Sequence, residues 1–203
     1  MLPGDVVIAK SLAHYSNYQT LPDGQVNLDI PAIRVRTDYT LSADRKRFAG
    51  GKRIRSRFIY PDPRLHRLAM EAGASREPDM IMWPAACQWP QPFRRPKCAS
   101  GVIGTADQIN SDPDVLKLMV SRYGLDVEEC EGVAVGQVAL AHQVPFLVIR
   151  GISDNELINP AYGEYLRTGA GEAMDWVETE STRNAWMVFL EMVRRLGSGG
   201  LTS

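Results

Sequence analysis

Two carboxylates in this 203-residue chain have the type and placement that chemistry on a sugar would need. Glu131 falls where a helix is expected to open, after a short strand expected over Asp126–Cys130. A helix N-terminus favours an ionised carboxylate by about 0.3–1 kcal/mol. Such a group only accepts hydrogen bonds, which suits paired hydroxyls like those of a ribose. Asp154 follows Ser153 directly after an apolar run, Pro145 to Ile152, where partial burial would raise its pKa and keep a proton available. One ionised and one protonated carboxylate is the arrangement that acid-assisted glycosidic cleavage uses. Each residue also has an ordinary reading: a Glu opening a helix is a favourable terminus, and an Asp after a strand is a turn or a cap.

The elements that must hold these groups alternate between strands and helices. Asp5–Ala9 reads as a buried strand entered through a Pro-Gly turn, and Arg53–Phe58 alternates like a half-exposed strand. Asp62 before Pro63 predicts a capped helix with Leu65, Leu68, Ala69 and Ala72 on its apolar face and Gly73 as its end. Pro78, Pro84, Pro90, Pro92 and Pro96, with Pro61 and Pro63 upstream, mark an irregular excursion that also holds Trp83 and Trp89. For those tryptophans, packing of the loop onto the domain is the default, and covering a ligand or a subunit interface the alternative. A strand is expected over Cys98–Gly104 and a loop over Thr105–Asn110. A helix should follow from Ser111-Asp112-Pro113, stopped by Gly124. The helix opened by Glu131 is rich in small residues (Gly132, Ala134, Gly136, Ala139, Ala141) and can approach a sheet closely. Pro145–Ile152 has the near-continuous apolar character of a strand buried on both faces. A long amphipathic helix carries Ala185, Val188, Phe189, Met192, Val193 and Leu196. Together these predict an α/β fold around a central sheet. One domain is expected over 1–197, with a flexible tail over 198–203. In such sheets ligands collect at the carboxyl ends of strands, where Glu129, Glu131 and Asp154 are expected.

Composition narrows the function further. A net charge of −1 gives no global pull toward nucleic acid or a membrane surface. No apolar run approaches a bilayer span, and no basic n-region with an apolar h-region marks a secretory signal, so a cytoplasmic location is expected. Cys87, Cys98 and Cys130 form no CxxC pair, and the three histidines lack metal-ligand spacing, so no metal is expected. Cys87 and Cys98 read first as free thiols, with a disulfide as the alternative in an oxidising compartment. Arg45-Lys46-Arg47 and Lys52, Arg53, Arg55 and Arg57 form a basic stretch. It reads first as a solvated edge strand and loop, and second as a contact for nucleic acid or another anionic partner.

Glu129-Cys130-Glu131-Gly132-Val133-Ala134, followed by Val144 to Asp154, resembles the signature of the purine and uridine phosphorylase superfamily. The nearest branch is that of 5′-methylthioadenosine/S-adenosylhomocysteine nucleosidases and their storage-type relatives. The family pattern is Glu-Met-Glu-Gly/Ala and then a strand ending in Ile-Ser-Asp, and the separation of Glu131 from Asp154 matches it without a gap. Pro3 to Ile8 and Gly101 to Asp107 also resemble family strands; the likeness is strong over 101–155 and weak over 20–97. The resemblance implies a nucleoside phosphorylase-like three-layer sandwich around a central mixed sheet. It further implies cleavage of the N-ribosidic bond of a purine nucleoside or thio-nucleoside, with no cofactor. The implied partners are a small-molecule nucleoside, phosphate as a candidate co-substrate, and other copies of the chain in a homo-oligomer.

Carried over by position, Glu131 would bind the ribose hydroxyls, with Glu129 and Cys130 lining the sugar and Cys130 standing where Met is usual. Asp154 would donate or share a proton at purine N7, Ser153 would orient it, and Ile109 would contact the base through its backbone. Gln108 stands where an aromatic commonly stacks on the base, a departure that touches base affinity and identity. The resemblance also implies an N-terminally incomplete domain, because family members carry roughly 80–100 residues before the Pro-Gly-Asp strand. That part supplies the glycine-rich loop and the carboxylate that activates water. The expectation is therefore little turnover from this chain alone. The alternatives are a non-catalytic nucleoside-binding or storage-type homologue, or one piece of an enzyme completed by another chain.

Overall fold

Nine of the chain's first 15 residues form one strand, and the rest of the fold is arranged around it. In the computed structural model, residues 1–16, 19–27, 33–41, 48–82, 94–110, 112–155, 157 and 172–198 are described. The strands and helices run β1 (Val6–His14), β2 (Gln19–Thr20), β3 (Val26–Asn27), β4 (Ile33–Leu41), β5 (Phe48–Ser56), β6 (Phe58–Ile59) and α1 (Pro63–Arg76). A 3₁₀ turn over Glu77–Asp79 follows, then β7 (Cys98–Thr105), α2 (Pro113–Tyr123), β8 (Val127–Glu129), α3 (Gly132–Ala141), β9 (Ile149–Gly151) and α4 (Glu172–Gly197). The main sheet has the order β6-β1-β7-β8, with β9 also paired to β1. β7 runs parallel to both β1 and β8, whereas β6 and β9 are antiparallel to β1, so the sheet is mixed. The short β2–β3 pair and the β4–β5 ribbon stand apart from it.

The two faces of β1 sort the layers. Val7 and Ala9 join Ile103, Ile152, Val133 of α3, and Ile33 and Val35 of β4 in one cluster. Val6 and Ile8 join Leu68, Ala69 and Ala72 of α1 and Val188 and Met192 of α4 in another. This is the period-two alternation of a strand covered on both sides, and the result is three layers, α/β/α. The alternation is broken once, where the register against β7 shifts between Ala9 and Ser11. The extra residue, Lys10, is exposed, and its insertion returns Leu12 to the α3 side while Ala13 meets Tyr15, Tyr123 and Leu125 in a third cluster.

Several local expectations hold and several shift. Asp62 caps α1 through bonds from the Arg64 and Leu65 amides, and Asp112 caps α2 through the Asp114 amide. Gly124 ends α2 in the left-handed conformation at φ 64°. Gly73, by contrast, does not end α1. The helix runs on to Arg76, and Gly73 is buried where an added Cβ would lie 2.2 Å from the Cys98 sulfur. Its small size serves packing on β7, not termination. The apolar run from Pro145 forms strand only over Ile149–Gly151 and is half-buried, because β9 covers the edge of β1 instead of taking a central place. The strand expected over Arg53–Phe58 is divided at Arg57 between β5 and β6, and that expected over Asp126–Cys130 contracts to β8. Cys98 is a free thiol, pushed up to about 12 by burial and then by the charges of Glu77 and Asp5. Cys87, Trp83, Trp89, Arg45-Lys46-Arg47 and most of the 198–203 tail lie outside the described residues.

Candidate active site

Where β8 ends and α3 begins, four backbone amides need partners. Glu129, the last residue of β8, supplies two of them. Its carboxylate accepts from the Glu131 amide at 3.1 Å and the Gly132 amide at 2.7 Å, as well as from the Thr105 hydroxyl and the Arg150 guanidinium. Its side chain is only 7% exposed. A Cβ on Gly132 would lie 3.0 Å from that carboxylate, so glycine makes room for it. Thr105 passes the network on by accepting from the Val133 amide at 3.0 Å. The expectation that Glu131 is the anion of the helix terminus is therefore corrected. Glu131 is the N-cap residue but makes no side-chain capping bond, because Glu129 already occupies the amides. That leaves the Glu131 carboxylate 65% exposed and held on one side by Arg150 at 2.6 Å.

Arg150 thus bridges the two carboxylates from β9. Burial works against its charge, but Glu129 and Glu131 outweigh that and hold its pKa above the ordinary value. Just beyond β9, Ser153 donates to Asp154 at 2.5 Å, and Asn155 donates to the Met1 carbonyl at 2.7 Å. Asp154 is partly buried. Because β9 is antiparallel to β1, Asp154 reaches the site from beside the start of β1, where the Ile152 amide donates to Asp5. The site is therefore not a single carboxyl edge of parallel strands, as the alternating pattern suggested.

The loop after β7 forms the third wall. Gln108 and Ile109 are exposed there, Ile109 at 70%, and Gln108 donates weakly to Asn110 at 3.4 Å. Asn110 in turn donates to Glu128 at 2.5 Å and to the Tyr15 hydroxyl at 3.1 Å, while Tyr15 donates to Glu128. Burial pushes the Glu128 carboxyl above the usual range; the bonds from Tyr15 and Asn110 oppose this, and the charge of Asp154 adds to it. Burial and then Glu128 push the Tyr15 phenol well up. Cys130 is also raised, by burial and then by Glu131, Glu129 and Glu128, so its thiol stays protonated near neutrality.

These walls enclose a cavity of about 530 Å³, lined by all seven positions singled out from the sequence: Gln108, Ile109, Glu129, Cys130, Glu131, Ser153 and Asp154. Sequence reasoning missed Thr105, Arg150 and the Tyr15–Asn110–Glu128 cluster. Arg150 had a signal, since one arginine inside the apolar run Pro145–Ile152 needs an anionic partner. Thr105 and Tyr15 had none, because their partners are distant in sequence.

A family model described as the phosphorylase superfamily matches residues 1–194. The chain belongs to the phosphorylase superfamily. Among its superfamily relatives, the 5′-methylthioadenosine/S-adenosylhomocysteine nucleosidase of Shewanella loihica is 35% identical over 79 residues, which is 38% of this chain and 34% of that protein. The nucleosidase of Neisseria meningitidis, solved with methylthio-immucillin-A, superposes with a TM-score of 0.60 at 17% identity, covering 95% of this chain and 62% of that one. Futalosine hydrolase of Helicobacter pylori gives 0.60 at 18% identity, over 96% and 62%. The fold is common to this chain and the two solved structures, and the chain spans about three-fifths of their length.

Proposed function

We propose that this cavity binds a purine nucleoside or thio-nucleoside and cleaves its N-ribosidic bond. The observation that carries the reading is the division of labour among the carboxylates. Glu129 is consumed by the α3 amides, Thr105 and Arg150, which leaves Glu131 exposed in the same cavity as Asp154. Glu131, oriented by Arg150, accepts from the ribose 2′- and 3′-hydroxyls. Asp154, oriented by Ser153, shares a proton with N7 as the base departs. The C–N bond then breaks toward an oxocarbenium-like sugar, and the bonding electrons leave with the base. Ile109 meets the base through its backbone, with Gln108 beside it. The names of the relatives support this class of substrate: they are nucleosidases, and one is solved with a nucleoside analogue. Water or phosphate completes the reaction at the anomeric carbon, and the two are told apart by whether release depends on added phosphate.

Calorimetry with adenosine and with free adenine tests the sugar assignment. Glu131→Ala should weaken the nucleoside by about 1.5–3 kcal/mol and leave the free base nearly unchanged. Equal losses for both ligands would remove Glu131 from the sugar site.

A further inference from the structure

The β4–β5 ribbon carries a charge arrangement that the nucleoside site does not use. Residues 33–57 hold nine of the chain's 23 Lys and Arg but only two of its 24 Asp and Glu, so a chain of net charge −1 is strongly segregated. The register puts Arg34 directly opposite Arg55 and Arg36 opposite Arg53. Ile33 and Val35 point the other way, buried against α3, so the four arginines share the outward face. Directly opposed like charges destabilise a strand pair, and their Cβ atoms stand about 4.5–5.5 Å apart. Among the described residues no carboxylate pairs with Arg34, Arg53 or Arg55. The ribbon's one described acid, Asp38, is engaged by Gln143 of the segment after α3 and by the Thr37 hydroxyl. The ribbon is therefore arranged against its own stability in a way that an anionic partner would relieve.

We propose that this outward face binds the phosphate backbone of a B-form DNA duplex, with the ribbon lying along the major groove. A two-stranded β-ribbon packed on helices by one face fits that groove with the other. The narrow, deep major groove of an RNA duplex does not admit it. Planar guanidinium forks suit phosphate oxygens better than a diffuse anionic surface, and among the described residues the arginine face offers no apolar side chain to insert into a membrane. The interaction is independent of sequence, since the contacts go to phosphates. Global net charge gave no reason to expect it; the attraction is local to one ribbon.

Fluorescence anisotropy with the full chain and a labelled 20-base-pair DNA duplex, without nucleoside, tests this. Three phosphate contacts, from Arg34, Arg53 and Arg55, predict a loss of affinity of about 40-fold between 50 and 200 mM salt. Arg53→Gln/Arg55→Gln should lower the salt slope by about 2 and weaken binding at 50 mM salt by more than about tenfold, whereas Lys117→Gln on α2 should change neither. The double variant should melt no earlier than the wild type, because it removes like-charge repulsion, so loss of binding is not loss of fold. No binding at 50 mM salt overturns the proposal, as does binding indifferent to the substitutions. Equal or tighter binding to an RNA duplex or to phosphatidylserine vesicles also overturns it. So does salt-dependent self-association that the double variant abolishes while DNA binding stays absent.

Discussion

Glu128 and Glu131 line one cavity in opposite electrical situations. Glu131 is mostly exposed and paired with Arg150, whereas Glu128 is partly buried, bonded to the neutral donors Tyr15 and Asn110, and raised by burial and by Asp154. A carboxyl raised in the folded state contributes stability that is fully present below its ordinary pKa of 4.5 and lost as pH rises through the raised value. Glu128→Gln keeps an oxygen for Tyr15 and Asn110 and removes the charge. It should therefore raise the melting temperature at pH 8 and change it little at pH 4. A wild type that is more stable at both pH values would mean that the buried charge is better compensated than these bonds indicate. Gln108 gives a second residue-scale expectation. Gln108→Phe should tighten adenine binding by up to about 1 kcal/mol if the base lies against this loop, and calorimetry showing no gain would place the base elsewhere. At this scale the positions that line the cavity were legible in the sequence, because the Glu-x-Glu and Ser-Asp motifs are local. The division of roles between Glu129 and Glu131 was not, since it depends on which carboxylate reaches the α3 amides, Thr105 and Arg150.

The elements are held together at a few points where size or charge is critical. Gly73 lets α1 approach β7, and the contact with Cys98 leaves no room for a methyl group. Gly73→Ala gains about 1 kcal/mol of helix propensity but should still lower stability by about 1–3 kcal/mol net through overpacking, read by chemical denaturation. An unchanged or raised midpoint would show that the helix can move away from the strand. Glu191 of α4 is buried among Arg76 of α1 and Arg194 and Arg195 of its own helix, with bonds of 2.7–3.0 Å. Those arginines hold its carboxyl well below the usual range. Its contribution is therefore present above the ordinary Glu value and lost as pH falls below it, so the wild type should lose its stability advantage over Glu191→Gln on acidification. Capped helices such as α1 and α2 were legible because Asp-Pro and a terminal Gly act locally. β9 was not, because an apolar run reads alike whether it fills a sheet centre or lies half-buried along one edge of β1. The Lys10 bulge, which re-sorts the second half of β1, leaves no mark in the sequence.

At the scale of the molecule, the α/β/α layers and superfamily membership followed from alternating elements and one joint motif. The separate β4–β5 ribbon did not follow, since a basic strand looks like a solvated edge until its register sets arginine against arginine. Under the proposed function, Asp154 and Glu131 together make the cavity an N-ribosidic cleavage site. Incubating the purified chain with methylthioadenosine, adenosine and inosine, with and without phosphate, and measuring free base tests it most directly. Base release from this chain should be slow, in keeping with the little turnover expected of it alone, and should fall further, by about 10²–10⁴-fold, in Asp154→Asn while the fold is retained. Release unaffected by Asp154→Asn, or no release from any of the three nucleosides under either condition, would contradict it.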